Sequence, residues 1–361
     1  MAPSNPTTEE IFPPTDITLE QIPPHRSHDP SNNLKRSDPF QFGSRYLLPE
    51  DNPFEFNAWD HVEPSAEDLV RFESQIEVQR AAPVSAFDRN RFNTEPEKWW
   101  NKFYANNTSN FFKDRKWLQQ EFPVLKEVTQ KDSGKKVLLE VGAGAGNTCF
   151  PILRGNENED LMVYACDFSR KAIDLIRESE AFEEKHIRAE VWDVASLDLP
   201  PGLQAGSVDV VIMVFVFSAL HPVQWKQAVS NLWRLLKPGG EVCFRDYGRG
   251  DLAQVRMKKG RWMEENFYIR GDGTRVYFFS QDELQDIWSG EMFQSGRYHQ
   301  ADGGHEDELA GITDTLKPAP WFNVTSLGVD RRLLINRHKQ LKMYRCWMQG
   351  HFQKPRPTGH V

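Results

Sequence analysis

An acidic residue and three glycines stand together in the middle of the chain. Glu140 lies near the end of the apolar run 137–141, and Gly142, Gly144 and Gly146 follow at alternate positions. An apolar run that stops in glycines and then becomes amphipathic predicts a buried parallel strand, a tight turn and a helix N-terminus. Glycine is favoured there because a Cβ would block both the turn and the close approach of a ligand.

The spacing of the glycines favours one class of ligand. The dinucleotide-binding fingerprint has its third glycine three places after the second, and Asn147 occupies that place. A nicotinamide or flavin cofactor is therefore disfavoured. An acid in the strand followed by G-x-G-x-G instead resembles the S-adenosylmethionine (SAM) loop of class I methyltransferases, and that resemblance implies a nucleoside bearing a cationic sulfonium.

Two more carboxylates follow the next two predicted strands. Asp167 comes directly after the run 161–166, and Asp193 comes after the run 187–192. A carboxylate at a strand end can accept hydrogen bonds from both ribose hydroxyls, the role that the resemblance gives to Asp167. It implies that Asp193 lies beside the adenine amine and that Val214, at the end of the run 208–214, borders the same site. Either aspartate alone could instead be a helix N-cap, but three strand-end signals in order favour a shared ligand.

Composition limits the remaining function classes. The chain has 361 residues and a formal net charge of −8, which by itself speaks against a nucleic-acid partner. No apolar run approaches the roughly 20 residues that span a bilayer, and the start resembles neither a signal nor a transit peptide. Four widely spaced cysteines without a C-x-x-C pair argue against a zinc ribbon and suit a reducing compartment. We therefore expect a cytoplasmic protein without a membrane partner.

Alternating strands and helices must position these acids. The run 208–214 predicts a strand, 222–236 an amphipathic helix that stops at Lys237-Pro238-Gly239-Gly240, and 241–246 the next strand. The predicted fold class is α/β, a class I SAM-dependent methyltransferase (Rossmann-like) fold with a mostly parallel seven-stranded sheet and helices on both faces. Its domains are a disordered tail at 1–45, an N-terminal helical extension at 46–130 and a methyltransferase domain at 131–355, interrupted by an insertion at about 289–320.

Aromatic and basic residues alternate in the segment 87–122. Trp100 and Tyr104 are four residues apart, so they share one face of a predicted helix. This face could simply pack the helix onto the main domain. It could also be a lid whose rings close over a sulfonium and whose cations approach a phosphate backbone. Both interpretations can hold at once.

A more specific resemblance extends over most of residues 55–355. The chain is similar to the methyltransferase-like enzymes that make 3-methylcytidine in tRNA anticodon loops. The matching segments are 100–104 (WNKFY), 110–117 (NFFKDRKW), 235–240 (LLKPGG), 244–249 (FRDYGR) and 265–279 (ENFYIRGDGTRVYFF). Two further segments, 329–333 (VDRRL) and 336–345 (NRHKQLKMYR), resemble the branch that acts on threonine tRNA.

The resemblance implies a SAM-dependent enzyme that methylates N3 of cytidine 32 in a tRNA anticodon stem-loop and releases S-adenosylhomocysteine. It implies direct transfer to a flipped-out base, without a metal and without DNA as a partner. An accessory protein that presents the tRNA, such as an aminoacyl-tRNA synthetase, is a possible partner in this family. Two alternatives remain open, namely a methyltransferase that acts on a protein or small molecule and an inactive RNA-binding scaffold.

The residues themselves favour ring nitrogen as the acceptor. Enzymes that methylate exocyclic amines carry an Asn/Asp-Pro-Pro-aromatic corner after the fourth strand, whereas this chain has FSALHP at 217–222. Methylation at pyrimidine C5 needs a thiolate, and Cys243 lies within an apolar run typical of a structural cysteine. Cytosine N3 needs no activation, and its product is cationic, so we expect the carboxylate of Asp246 near the acceptor.

Clusters of positive charge predict the RNA contacts. Residues 330–345 carry a local charge of +5 and residues 245–275 a local charge of +3. Such runs are usually solvated surface, but on an acidic chain they are natural phosphate contacts. The predicted RNA-binding residues are Lys113, Arg115, Lys116, Arg245, Arg249, Arg270, Arg275, Arg331, Arg332, Arg337, Lys339 and Arg345. Charge reversal of Arg331 and Arg332 is expected to weaken tRNA binding.

Overall fold

One large twisted sheet organises the chain in a computed structural model that describes residues 45–109, 111–115, 117–294 and 321–357. Its strands are β1 (Ala58–Asp60), β2 (Lys136–Val141), β3 (Leu161–Asp167), β4 (Ile187–Val191), β5 (Val208–Val214), β6 (Leu236–Tyr247), β10 (Asn323–Asn336) and β11 (Leu341–Gln353). The strand order is β1-β10-β11-β6-β5-β2-β3-β4. Strands β4, β3, β2, β5 and β6 are parallel, so their carboxyl ends meet at one edge. The α/β prediction is confirmed.

The sheet has eight strands instead of the predicted seven. The extra strand is β1, which pairs antiparallel with the outer strand β10, with Trp59 opposite Leu333. Trp59 is fully buried and donates its ring N–H to the Pro53 carbonyl at 2.7 Å. Three residues without a strong alternating pattern give no strand signal, and β1 forms because β10 offers an unpaired edge. The N-terminal extension is therefore not only helical.

Helices cover both faces of the sheet. Their bounds are α1 (Ala66–Arg80), α2 (Ala86–Thr94), α3 (Pro96–Asn107), α4 (Leu118–Glu121), α5 (Pro123–Val128), α6 (Cys149–Arg154), α7 (Arg170–Arg177), α8 (Trp225–Leu235), α9 (Leu252–Val255), α10 (Gln281–Ser289) and α11 (Glu291–Gln294). A second sheet contains β7 (Trp262–Glu264), β8 (Phe267–Ile269) and β9 (Arg275–Tyr277) in that order. Among the described residues, no helix is long and apolar enough to cross a bilayer.

The parallel strands are buried on both faces. Leu139, Val211 and Phe244 belong to one hydrophobic cluster, whereas their neighbours Leu138 and Ile212 belong to the other. Successive side chains of a strand point to opposite faces, and helices on each side exclude water from both. This explains why the strands appear in the sequence as continuous apolar runs.

Two predicted boundaries shift in the structure. The helix predicted at 222–236 begins as a 3-10 turn (Pro222–Gln224) and becomes α-helical at Trp225. The strand predicted at 241–246 begins at Leu236, where it already pairs with Val208. Positions 1–44 and 295–320 lie outside the described residues, as do the predictions for the tail and for most of the insertion.

Candidate cofactor and substrate site

A cavity of about 810 Å³ opens at the carboxyl edge of the parallel strands. Strand ends and the glycine loop contribute Gly142, Gly144, Asp167, Asp193 and Val214 to its wall. The two aspartates follow different strands, and they meet because parallel neighbours end at the same edge. Five of the predicted cofactor residues therefore border one cavity.

The glycine loop needs its glycines for two physical reasons. Gly142, Gly144 and Gly146 have φ angles of +68°, +57° and +88°, in the region that side chains disfavour. A Cβ on Gly144 would lie 2.6 Å from the Tyr104 hydroxyl oxygen, whereas one on Gly146 would lie 2.3 Å from the Phe150 ring. Gly144 thus forms a narrow cradle beneath Tyr104. Gly146 packs against Phe150 of the following helix and lies outside the cavity wall.

Asp167 ties the glycine loop to β3. Its Oδ2 accepts the backbone N–H of Gly144 at 2.8 Å, and its Oδ1 accepts that of Ser169 at 2.8 Å. Burial raises the pKa of this carboxyl to about 6, against the lowering effect of the two backbone donors. Each carboxylate oxygen accepts more than one hydrogen bond, so both can still receive a hydroxyl from a ligand in the cavity.

Asp193 occupies the next strand end in a similar way. Its Oδ1 accepts the backbone N–H of Ala195 at 2.9 Å, which leaves Oδ2 for the cavity. Burial raises the pKa of Asp193, and Arg275 opposes that shift. The adjacent Trp192 and Val194 also line the wall, so this end of the cavity is apolar around one acceptor. Such a surface suits a planar base with an exocyclic amine.

Glu140 lies beneath the loop, outside the cavity wall. It is 1 % exposed, and its Oε2 accepts the backbone N–H of Cys149 at 3.1 Å. Burial raises its pKa to about 7, and the guanidinium of Arg115, 4.0 Å from Oε1, works in the opposite direction. The sequence predicts that Glu140 contacts the cofactor, whereas here its carboxylate faces Cys149 and Arg115. Its carboxylate instead fixes the junction between the loop and α6.

Arg115 points toward the glycine loop at the cavity wall. Its guanidinium donates to Thr148 Oγ1 at 3.0 Å, and its backbone N–H donates to the Asn147 carbonyl at 2.9 Å. Asn147 returns a bond from its side-chain amide to the Phe112 carbonyl at 3.2 Å. Residues 111–115, which we call the arm, are therefore bound to the glycine loop. The predicted RNA contact of Arg115 does not fit this orientation.

Helix α3 packs onto the main domain and also lines the cavity with its aromatic face. Phe103 and Tyr104 are buried against Ala172 of α7. Asn101 Oδ1 accepts the Ser169 hydroxyl at 2.7 Å and fixes the helix to the N-cap of α7. Trp100 and Tyr104 also border the cavity, where aromatic faces attract a sulfonium cation.

Asp246 is buried one residue behind the wall. Its Oδ2 accepts the backbone N–H of Ser218 at 2.9 Å, and its Oδ1 accepts that of Tyr247 at 2.8 Å. Burial raises its pKa to about 6. The cavity wall contains Tyr247, and Asp246 lies directly behind it, where its carboxylate supports the wall.

Several predicted RNA-binding arginines are buried inside the protein. Arg245 forms an ion pair with Asp330 and donates to Gln349 Oε1 at 2.7 Å. Arg331 is 4 % exposed, and Arg332 lies 3.6 Å from carboxylate oxygens of both Asp60 and Asp330. As placed, Arg245 and Arg331 are too buried to reach a phosphate, and the half-buried Arg332 lies between two carboxylates. Their charge reversal should therefore destabilise the fold, whereas the sequence predicted a specific loss of tRNA binding.

Two more predicted RNA-binding arginines hold other elements in place. Arg249 lies 3.3 Å from Glu283 of α10. Arg275 is buried, donates to the Ala219 carbonyl at 3.1 Å and borders the cavity close to Asp193. Both side chains therefore make contacts within the protein and do not extend from its outer surface.

The remaining predicted cations that the structure describes reach the surface or the cavity wall. Arg270 and Arg345 line the cavity, and Arg345 also donates to Asp251 Oδ2 at 2.8 Å. Lys113, Arg337 and Lys339 are exposed. Lys116 lies outside the described residues. A phosphate backbone can therefore approach from the side of the mouth.

Several wall residues of the cavity carry no recognisable signal in the sequence. Arg256, Lys258 and Arg261 add positive charge at the mouth, while Phe215 and Tyr247 form a ring pair with centroids 4.7 Å apart. The charge run 245–275 contains the three cations, but a run does not reveal which of its members face outward. Phe215 has φ +59°, an unusual conformation for a bulky residue at a strand end. No sequence signal predicts it.

The residues present fit a SAM molecule. The Gly144 cradle admits a ligand close to the backbone, Asp167 offers two oxygens for a ribose, and Asp193 offers one for an amine. The aromatic rings of Trp100 and Tyr104 supply negative faces for a sulfonium. Positive charge at the mouth suits the approach of an anionic chain to that end of the cavity.

Comparisons with known proteins agree with this chemistry. Residues 139–242 match a family model described as a methyltransferase domain. A tRNA(Thr) (cytosine(32)-N(3))-methyltransferase of Saccharomyces cerevisiae is 46% identical over 332 residues, which is 91% of this chain and 48% of that protein. The chain thus spans about half the length of that relative.

Two further relatives match along nearly their whole length. A tRNA N(3)-methylcytidine methyltransferase of Schizosaccharomyces pombe is 44% identical over 313 residues, covering 87% of this chain and 92% of that protein. A tRNA N(3)-cytidine methyltransferase of Danio rerio is 37% identical over 366 residues, covering 93% of this chain and 95% of that protein.

Proposed function

The chain belongs to the family of tRNA N3-cytidine methyltransferases, and we propose that it methylates N3 of cytidine 32 in a tRNA anticodon loop, with threonine tRNA as substrate. One observation carries this proposal. The acids and glycines that suit a SAM molecule share a single cavity with an aromatic lid and a cationic mouth. A methyl donor and a nucleotide can therefore meet there.

The chain's part in the reaction is mostly positioning. When bound, SAM supplies an electrophilic methyl group carried on a sulfonium. Cytosine N3 has a lone pair in the plane of its ring, so no side chain has to remove a proton before attack. We assign the ribose to Asp167, the adenine amine to Asp193 and the sulfonium side to Trp100 and Tyr104.

The acceptor base needs an open slot, because N3 lies on the Watson–Crick edge and must be unpaired to react. We place this slot beside Phe215 and Tyr247, whose rings offer a face for stacking a pyrimidine. Asp246 acts through the wall by holding the backbone N–H groups of Ser218 and Tyr247. It is a positioning residue.

The surface around the mouth supports tRNA as the substrate. Arg256, Lys258, Arg270 and Arg345 lie where an anticodon loop would have to enter. We propose that residues 46–130 act as lid and tRNA contact, and that residues 131–355 form the methyltransferase domain. We further propose that the protein acts in the cytoplasm and that an aminoacyl-tRNA synthetase can present the tRNA to it.

Nucleoside mass spectrometry tests the proposed reaction. The purified chain, SAM and individual tRNAs lacking 3-methylcytidine should yield that nucleoside at position 32, first of all in threonine tRNA. A Gly144→Val control should be inactive, because its side chain would displace Tyr104. Methyl transfer to a protein or small molecule, with unmodified tRNA, would overturn the substrate assignment. Binding of tRNA without any SAM binding would indicate an inactive scaffold.

A further inference from the structure

A glutamate, a cysteine and a histidine converge on the sheet far from the cavity. Cys243 of β6 pairs directly with His351 of β11, and Glu241 stands two residues before Cys243. Side chains two residues apart in a strand share one face, so all three project together. The nitrogen, sulfur and oxygen atoms that they offer lie within 4.8 Å of one another.

This cluster is separate from the proposed methyl-transfer site. The end of β6 that borders the cavity is Tyr247, which pairs with Trp347. Cys243 lies four residues earlier, roughly 13 Å along the strand at the rise of a parallel or antiparallel strand. The cluster instead faces Phe122, whose ring centroid lies 5.1 Å from that of His351.

We infer that Glu241, Cys243 and His351 form a zinc-binding site that joins β6 to β11. The chemistry of the three ligands supports this metal. Thiolate, imidazole and carboxylate together suit Zn²⁺, whereas Mg²⁺ and Ca²⁺ prefer sites made only of oxygen. The inference is independent of the proposed function.

The spacing of the ligands also supports it. His351 Nδ1 and Glu241 Oε2 are 3.4 Å apart, which is long for a hydrogen bond between them. Tetrahedral zinc has bonds of about 2.0–2.2 Å to nitrogen and oxygen, so two such ligands lie about 3.3–3.5 Å apart. The existing separation therefore matches one edge of a zinc tetrahedron.

The partial exposure of two of the three ligands leaves a route for the ion. Cys243 is fully buried, but the side chains of Glu241 and His351 are 19% and 13% exposed. An ion can enter from that side, and a water molecule can complete the tetrahedron. Burial and the nearby Glu241 raise the pKa of Cys243 well above its usual range. Zinc binds cysteine as the thiolate, so binding of the ion at Cys243 releases the thiol proton.

No motif in the sequence predicts this cluster. Metal sites are recognised in sequences by short spacings such as C-x-x-C, whereas here the pairing of two distant strands brings the ligands together. An ion at this position would fix the β6–β11 pairing. The same β11 carries Arg345 at the cavity mouth, so the ion would also hold that strand in register.

Metal titration of the full-length, tag-free chain tests the inference. After treatment with a chelator, the chain should bind one Zn²⁺ and gain thermal stability. Co²⁺ in its place should produce the near-ultraviolet charge-transfer band of a thiolate ligand. Mg²⁺ should do neither. Absence of a stoichiometric Zn²⁺ or of the thiolate band would overturn the site.

Three variants assign the ligands, with one matched control. Cys243→Ala should abolish the cobalt band, and His351→Gln and Glu241→Gln should each weaken Zn²⁺ binding by a factor of about 10 to 100. Cys166→Ala removes another buried cysteine and should bind normally. If Cys243→Ala does not fold, the Zn²⁺ affinities of His351→Gln and Glu241→Gln still test the site. Unchanged affinity in both would reject the site.

Discussion

Asp167 holds the protein's own loop with the same two oxygens that we assign to the ribose. Asp167→Asn replaces one acceptor by a donor, which would then face a backbone N–H. We expect SAM binding to weaken by about 1.5–3 kcal/mol, the range for hydrogen bonds to a charged group. Isothermal titration with SAM measures this change, with Asp132→Asn on the surface as the control. An unchanged dissociation constant would contradict the assignment.

Glu140 predicts a pH dependence of stability. Burial raises its pKa from 4.5 to about 7, so folding favours the protonated carboxyl. The contribution of this group to stability is complete below pH about 4.5 and is lost as the pH rises through 7. Glu140→Gln does not titrate, so it should match the wild type at pH 4.5 and exceed it by up to about 3 kcal/mol at pH 8.

Urea unfolding at several pH values measures the difference between the two proteins. It should grow between pH 4.5 and 7 and then remain constant. A difference that does not change with pH would mean that Glu140 is charged in the folded protein throughout. The comparison needs no ligand, so it tests the buried carboxyl alone.

At the scale of elements, the arm and the glycine loop form one unit. Arg115→Lys keeps the charge but loses the planar fork that reaches Thr148 and approaches Glu140. We expect SAM affinity to fall about tenfold, with faster hydrogen exchange in residues 111–117. Lys113→Ala, on the exposed side of the arm, should leave SAM affinity unchanged and weaken tRNA binding slightly. If Arg115→Lys instead left SAM affinity unchanged and weakened tRNA binding, Arg115 would be an RNA contact, as the sequence predicts.

The strand ends were predictable because burial and alternation leave a strong local pattern. Asp167 and Asp193 follow apolar runs that can only be interior strands, and parallel strands bring their ends together. Strand β1 was not predictable, since it depends on the free edge of a strand more than 260 residues later in the chain. Glu140 and Asp246 are strand-end acids as well, but only packing decides whether such an acid faces a cavity.

At the scale of the whole molecule, the sequence shows where positively charged residues occur along the chain but not which of them face outward. Arg245 and Arg332 belong to the same charge runs as Arg270 and Arg345, yet they neutralise Asp330 in the interior. Local sequence gives no signal for the Arg245 pair because Asp330 lies on another strand, and the short spacing between Asp330 and Arg332 does not show that both face inward. Other cations of these runs, namely Arg256, Lys258, Arg270 and Arg345, line the cavity, so an acidic protein presents a positive entrance.

This entrance predicts a salt-dependent association with RNA. Arg256 and Lys258 are exposed at the mouth. The double variant Arg256→Glu/Lys258→Glu should weaken tRNA binding and reduce the slope of log affinity against log salt by about 2, since each cation replaces about one condensed counterion. SAM affinity should not change. Fluorescence anisotropy with a labelled anticodon stem-loop between low and physiological salt measures both quantities.

The matched control makes an equal change of charge elsewhere. Lys131 and Lys135 are exposed near the start of β2, at the opposite edge of the sheet from the cavity. Their reversal to glutamate gives the same net charge but leaves the mouth intact. If both double variants lose the same affinity, tRNA responds only to the overall field. A loss confined to the mouth variant would localise the phosphate contacts, because screening limits the influence of distant charges to about 10 Å.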